Sequence, residues 1–292
     1  MMSSAVIEAP ALTSIETLLE VRGLTKLYGP GCVNCLGLTG PESNNTVCPV
    51  CGSVVACADV SFSLRPGHTI GIVGESGSGK STVLKSIYGD IEPTSGQAIL
   101  RTAEDPERNL FALNPQARRR VRNFEIGMVY QTPRQGLNFG ITAGGNVADR
   151  LLAANWRQVS RIRHRASGLL DRMEIPVGRM DDMPGDFSGG MQQRVQVAKA
   201  LANGPVVLLL DEMTSGLDVS VQAGVLDLIQ EIQHEANIAL IVVSHDLGVV
   251  RLLCEKAIVM KNGRVVERGL TDQILEDPHH PYTQLLVSSV NR

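Results

Sequence analysis

Two groups of residues in this chain have types and spacings suited to chemistry. The first is Gly74-Glu75-Ser76-Gly77-Ser78-Gly79-Lys80-Ser81, which fits G-x-x-x-x-G-K-[ST]. Backbone N–H groups wrap a polyphosphate only where the loop takes conformations that glycine tolerates. A helix opening at the end of the loop adds unpaired N–H groups and the positive end of its dipole. In that frame Gly74, Ser76, Gly77, Ser78, Gly79, Ser81 and Thr82 line the phosphates. The Lys80 ammonium reaches the β and γ phosphates, and the Ser81 hydroxyl ligates Mg²⁺. The second group is Cys32-Val33-Asn34-Cys35 with Cys48-Pro49-Val50-Cys51, a C-x₂-C-x₁₂-C-x₂-C pattern. Four thiolates in two close pairs suit one tetrahedral, structural Zn²⁺. An iron–sulfur cluster takes the same ligands, and four free thiols in a loop are the third alternative. Gly37 and Gly52 follow the two pairs, and each is expected to permit a curl that turns amide N–H groups toward sulfur.

Further along, Val206–Leu210 is an apolar run ending in Asp211-Glu212. Beside a phosphate loop, Asp211 suits holding Mg²⁺ through water, and Glu212 suits orienting or deprotonating an attacking water. Ser188-Gly189-Gly190 opens a helix whose apolar face includes Met191, Val195, Ala198 and Ala202; its N-terminus is a second place for an anion.

The elements that must position these residues alternate between strand and helix. Leu18–Leu24 and Val60–Leu64 alternate apolar and polar residues and read as strands. Thr69–Val73 is a short strand feeding the glycine loop, and Thr82–Tyr88 reads as the helix after it. Leu100 to Arg122 is polar and Arg-rich; Ile126–Tyr130 reads as a strand; about 140–204 reads as mainly helical. Val206–Leu210 and Ile238–Val243 are buried-type strands joined by an amphipathic helix bearing Val225, Leu226, Ile229 and Ile232. Ala257–Met260 and Arg264–Glu267 flank Asn262-Gly263, a hairpin turn, and Ile274–Glu276 and Tyr282–Val290 suggest short helices. The expected architecture is α/β: a flexible tail over 1–16 and one domain over 17–292, with a Cys-rich insertion at 29–57 and a helical subdomain at about 132–204.

Composition sets the outer bounds. The chain has 292 residues, 43% of them hydrophobic, enough for a sizeable core. With 27 Lys+Arg against 30 Asp+Glu, the formal charge of −3 argues against a nucleic-acid binder. No apolar run approaches the ~18 residues of a membrane span, and no basic segment precedes an apolar one at the N-terminus, so a cytoplasmic chain without membrane insertion is expected. Cys57 and Cys254 lack a neighbouring cysteine and read as buried apolar residues. Arg118-Arg119-Arg120 with Arg122, and Arg157, Arg161, Arg163 and Arg165, read first as solvated helix faces and second as a docking surface.

Taken together, these motifs resemble the ATP-binding-cassette ATPases over about residues 17–290. Ser188-Gly189-Gly190-Met191-Gln192 is similar to that family's signature, and Asp218 in Ser215-Gly216-Leu217-Asp218 to its D-loop. His245 is similar to the switch histidine that contacts the γ phosphate, Gln131 to the Q-loop glutamine that joins Ser81 and Asp211 at Mg²⁺, and Tyr28 to the aromatic stacked on adenine. The resemblance implies a P-loop NTPase core with an antiparallel β subdomain and a helical subdomain. It also implies ATP and Mg²⁺ as ligands, Glu212, His245, Lys80 and Gln131 as the catalytic set, and a head-to-tail dimer with a second cassette chain. Met213 departs from the pattern where the family usually has proline, and a less rigid turn is expected there. Two branches are closest. Pro278-His279-His280-Pro281-Tyr282-Thr283 resembles the C-terminal segment of oligopeptide/nickel importer ATPases. Ala143-Gly144-Gly145-Asn146, the block Asp277–Val290 and termination at Arg292 resemble the ATPase subunits of carbon–phosphorus lyase complexes, and this second branch is preferred, with the lyase core subunits as partners.

Overall fold

The computed structural model describes residues 15–215 and 218–290, without the side chains of 219–221 and 290. The expected tail therefore lies outside the described residues except for Ile15 and Glu16, as do Gly216, Leu217, Asn291 and Arg292. In chain order the first elements are β1 (Leu19–Tyr28), β2 (Val54–Leu64), β3 (Thr69–Val73), α1 (Lys80–Tyr88), β4 (Ser95–Leu100) and β5 (Arg108–Asn109). Next come α2 (Pro115–Phe124), β6 (Ile126–Val129), α3 (Pro133–Gly136), α4 (Ala143–Ala153), α5 (Val159–Arg172) and α6 (Gly189–Ala200). The remainder are β7 (Val207–Asp211), α7 (Val219–Ala236), β8 (Ala239–Ser244), α8 (Leu247–Leu253), β9 (Lys256–Lys261), β10 (Arg264–Leu270), α9 (Thr271–Glu276) and α10 (Pro281–Val290). The described residues form two compact units, one of 119–240 and one of 15–118 with 241–290; the chain passes between them within α2 and within β8.

In the unit of 15–118 and 241–290, β2-β1-β4-β5 form an antiparallel sheet. Leu19 pairs with Leu64 and Tyr28 with Val54, with register shifts after Val21, Leu24 and Lys26 between them. Leu19 and Val21 are buried, as the alternation requires, and Leu24 joins them because the register shifts between Val21 and Leu24. β3 is β-branched at four of its five positions and buried at all five. It runs parallel to β9, with Ile70 opposite Lys256 and Val73 opposite Val259. β9 and β10 form the expected hairpin, turning at Asn262 and Gly263, both with positive φ. In the unit of 119–240, β6 runs parallel to β7, Ile126 opposite Val207 and Val129 opposite Leu210. Each fully buried Leu or Val of such strands contributes roughly 1.5–3 kcal/mol.

Three expectations need correction. Tyr28 is the last residue of β1, not a residue beyond it. β2 begins at Val54, so the Cys-rich excursion spans 29–53 and Cys57 belongs to a strand, opposite Lys26. The polar stretch 100–122 contains α2: Pro115 starts it, Asn114 Oδ1 accepts the Ala117 N–H at 2.9 Å, and Val121 is its buried residue. Cys57 and Cys254 are buried free thiols, as expected. The second arginine run has local partners: Arg163 pairs with Asp181, Arg161 stacks on Trp156, and Arg165 donates to Ala202 O. Among the described residues no helix is long and apolar enough to cross a membrane.

Candidate functional site

β3 delivers the glycine loop to the start of α1. Gly79 occupies the N-cap of that helix with φ 101°, and no side chain makes a cap hydrogen bond there. The loop is pressed onto its surroundings. A Cβ on Gly74 would stand 2.1 Å from Met260 O, and one on Gly79 would stand 2.1 Å from Ala56 O. Only glycine fits such contacts at φ 147° and 101°. Lys80 is 3% exposed, and its Nζ donates to Gly74 O and Glu75 O, each at 2.8 Å. Ser78 Oγ is buried in the loop without a hydrogen-bond partner. A helix N-terminus without a side-chain cap, a buried ammonium and the unpaired Ser78 hydroxyl fit a polyphosphate with its metal. Ser81 and Thr82 follow in the first turn of α1, half-buried, while Ser76 and Gly77 are exposed at the tip of the loop.

The same unit carries Tyr28 and His245. Tyr28 is exposed, with Lys26 Nζ 4.9 Å from its ring centroid. His245 follows the last residue of β8 and is exposed, ahead of Asp246, which caps α8 by accepting the Gly248 N–H at 2.8 Å. One contact was not anticipated. Tyr282, from α10, accepts the Glu75 N–H on its hydroxyl at 3.0 Å, so the C-terminal helix braces the loop. Burial pushes the Tyr282 phenol up and keeps it a neutral hydroxyl.

In the unit of 119–240, β7 ends on Asp211, which is buried, and Glu212 follows with φ 44°, unusual for a side-chain-bearing residue. Gln131 Nε2 donates to Glu212 Oε2 at 2.9 Å, so the structure brings two of the expected residues together. Met213 is buried, and Ser215 N–H closes a turn onto Glu212 O at 3.0 Å. Ser188 caps α6, its Oγ accepting the Met191 N–H at 3.3 Å; Ser188 and Gly189 are exposed and Gly190 is buried. Asp218 stands at the N-cap of α7, next to Gly216 and Leu217, which are outside the described residues. Sequence reasoning missed two buried glutamines of α6. Gln193 Nε2 donates to Gln131 O at 2.9 Å. Gln196 accepts the Tyr130 N–H at 2.5 Å and donates to Tyr130 O at 3.1 Å. Their i, i+3 spacing puts them on one side of α6, but Gln192, Arg194 and Lys199 are polar too, so the sequence carried no signal that set them apart.

The four cysteines converge. Their Sγ atoms all lie within 4.8 Å of one another, with Cys32–Cys35 at 3.6 Å, Cys32–Cys48 at 3.7 Å and Cys35–Cys51 at 3.4 Å. A tetrahedron with metal–sulfur bonds near 2.3 Å has edges of about 3.8 Å. A polynuclear iron–sulfur cluster, which spreads its four cysteines over two or four irons, needs some of them further apart. Cys32 N–H points at Cys35 Sγ at 3.1 Å. Gly52 takes the left-handed turn expected of it, but Gly37 does not. The first knuckle is instead a helical turn, with Leu38 N–H on Asn34 O at 3.0 Å, which any residue can adopt. Hydrogen bonds with Ser53 draw Cys51 down to about 6, whereas burial pushes Cys35 up to about 12.

Comparison with known proteins agrees with this geometry. The family described as "ABC transporter" matches residues 57–215, and that described as "Oligopeptide/dipeptide transporter, C-terminal region" matches 266–292. The putative phosphonates utilization ATP-binding protein PhnK of Escherichia coli (strain K12) is 47% identical over 275 residues, 94% of this chain and 98% of that protein. A putative peptide import ATP-binding protein of Brucella abortus (strain 2308) is 39% identical over 244 residues, 82% of this chain and 72% of that protein. Among solved structures, the ATP-binding cassette MJ0796, dimeric in a post-hydrolysis state with ADP and Pi, superposes with a TM-score of 0.73 at 28% identity, over 87% of this chain and 99% of that one. On these grounds the chain belongs to the ATP-binding-cassette transporter family and is an ABC-type ATPase.

Proposed function

We propose that this ATPase serves phosphonate catabolism: it binds MgATP, closes as a dimer of cassettes and drives conformational change in a carbon–phosphorus lyase core. One observation carries the choice of partner. The likeness to the phosphonates utilization protein runs through 98% of that relative at 47% identity, while the peptide import relative is matched over 72% at 39%. The match of 266–292 to the oligopeptide/dipeptide transporter C-terminal region favours a second reading, the ATPase of a peptide- or nickel-type importer.

The residues divide the work by chemistry. Lys80 exchanges the carbonyls of Gly74 and Glu75, its present acceptors, for β and γ phosphate oxygens of higher charge. The loop amides from Gly74 to Thr82 and the Ser78 hydroxyl surround the phosphates, and Tyr28 offers a face for adenine. Ser81, Asp211 and Gln131 are the oxygen donors for Mg²⁺, which neutralises charge on the phosphates. Glu212, its carboxylate steadied by Gln131, takes the proton of the attacking water. His245 contacts the γ phosphate. Ser188, Gly189, Gly190 and Asp218 face the nucleotide of the second chain. The tight Sγ spacing of Cys32, Cys35, Cys48 and Cys51 supports one structural Zn²⁺.

The test is association. Tagged full-length chain is co-expressed with the lyase core subunits and, separately, with importer membrane subunits. Stable recovery of the core is expected; recovery of the importer subunits alone would transfer the chain to the second reading.

A further inference from the structure

The cysteine cluster and the phosphate loop lean on the same pieces of backbone. Val55, early in β2, packs on Cys35 and Cys48, and its N–H donates to Thr46 O at 2.8 Å. The next residue, Ala56, presents the carbonyl against which Gly79 is pressed. On the other side, Asn262 Nδ2 donates to Asn44 Oδ1 at 3.1 Å, and Arg264 Nη2 donates to Leu36 O, both acceptors lying between the two cysteine pairs. Between Asn262 and Arg264 stands Gly263, whose N–H donates to Ser78 O at 3.1 Å and whose carbonyl accepts the Ala58 N–H at 2.8 Å. Tyr28 pairs with Val54, and Ser53 Oγ, which lies 3.2 Å from Cys51 Sγ, accepts the Gly31 N–H at 2.9 Å. Three nucleotide-facing positions, Tyr28, Ser78 and Gly79, are thus backed by segments that the cysteine cluster ties together.

We infer that the cysteine module is a positioning element of the nucleotide site: its metal fixes the start of β2 and the Asn262-Gly263 turn, so the grip on nucleotide depends on the metal. The inference rests on reading the four cysteines as one metal site. Without metal the 25-residue excursion (Gly29 to Ser53) keeps a small apolar cluster and hydrogen bonds that are mostly short-range turns within itself, such as Leu38 on Asn34 and Gly52 on Cys48, which curl it locally but tie its two cysteine pairs together weakly. Loosening it frees both the Ala56 carbonyl and the turn that receives Ser78.

The experiment uses the full-length chain. Zinc per chain is measured by elemental analysis, and MgADP affinity by calorimetry, for protein as purified, after chelation, and after return of Zn²⁺. A second arm uses the double variant Asn44→Gly/Arg264→Ala, which cuts the module from the turn and keeps all four cysteines. Glycine is chosen because Asn44 has φ 48°. Expected are one zinc per chain, a roughly tenfold weaker Kd after chelation with recovery on adding Zn²⁺, and about fivefold weaker Kd in the zinc-loaded double variant, with kcat at saturating ATP little changed. Wild-type affinity in the zinc-loaded double variant, or in a stripped chain whose circular dichroism is unaltered, overturns the inference while the metal site stands. If stripping unfolds the chain, the double variant alone decides. Absence of any metal from the purified protein removes the metal site itself, and the inference with it, before any nucleotide is added.

Discussion

Around the phosphate loop the tightest contacts are main chain on main chain, with the Tyr282 hydroxyl and the Lys80 ammonium beside them, whereas the Glu212 carboxylate is held through side-chain amides. Gly74 and Gly79 lie against the carbonyls of Met260 and Ala56, and Gly263 receives Ser78. Glu212, by contrast, is held by Gln131, whose own backbone is held by Gln193, next to a Tyr130 clasped by Gln196. The first arrangement has no room to give and suits a site that must present amides at fixed spacing to an anion. The second consists of side-chain amides and a carboxylate, which can rotate where a backbone contact cannot.

Substitutions can break either side of that contrast. The largest effect on turnover is expected from Glu212→Gln: a fall of roughly 10²- to 10⁴-fold with ATP affinity retained, because the amide cannot accept the proton of water. Phosphate release measured beside nucleotide affinity checks it, and unaltered turnover would take Glu212 out of the role of base. Next comes Gly79→Ala. The added Cβ meets Ala56 O at a distance no carbon tolerates, in a backbone conformation costing a non-glycine residue about 1–2 kcal/mol even in open space. A folded chain with roughly 10- to 100-fold weaker ATP affinity is expected, its turnover at saturating ATP falling less than in Glu212→Gln; wild-type affinity would show that the loop can shift after all. The smallest effect belongs to Gln196→Ala, which leaves the N–H and C=O of Tyr130 without their buried partner at a cost of about 1–3 kcal/mol. A melting midpoint lower by about 2–4 °C for each kcal/mol, with kcat lowered more than nucleotide affinity, sharpens the view of α6 as the support for Gln131.

The two sides also differ in how far they could be read in advance. Gly74, Gly79 and Lys80 were legible because glycine at fixed spacing before a lysine answers a backbone demand that few other structures make. The cysteine pairs were legible as well, since two C-x₂-C steps are the spacing that brings four thiols to one point. β4 and α2 were not: Ser95–Leu100 lacks alternation and becomes a strand because β1 pairs with it, and α2 has a single buried residue. Gln193 and Gln196 were equally silent. A glutamine on a helix is ordinarily a solvated residue, and nothing local reveals that its amide will meet a strand end more than sixty residues earlier.

By itself, then, the order of residues identified the family, the glycine loop before Lys80, the Asp211-Glu212 pair at the end of a strand and the four cysteines that converge, because each needs particular side chains, or their absence, close together along the chain. Only the folded molecule decided what holds them: Tyr282 on Glu75, Gln193 and Gln196 on Tyr130 and Gln131, and the Asn262-Gly263 turn shared by the cysteine module and Ser78. Those contacts join segments far apart in sequence through hydrogen bonds that many residue types can make. Their partners are set by where packing leaves each backbone group in space.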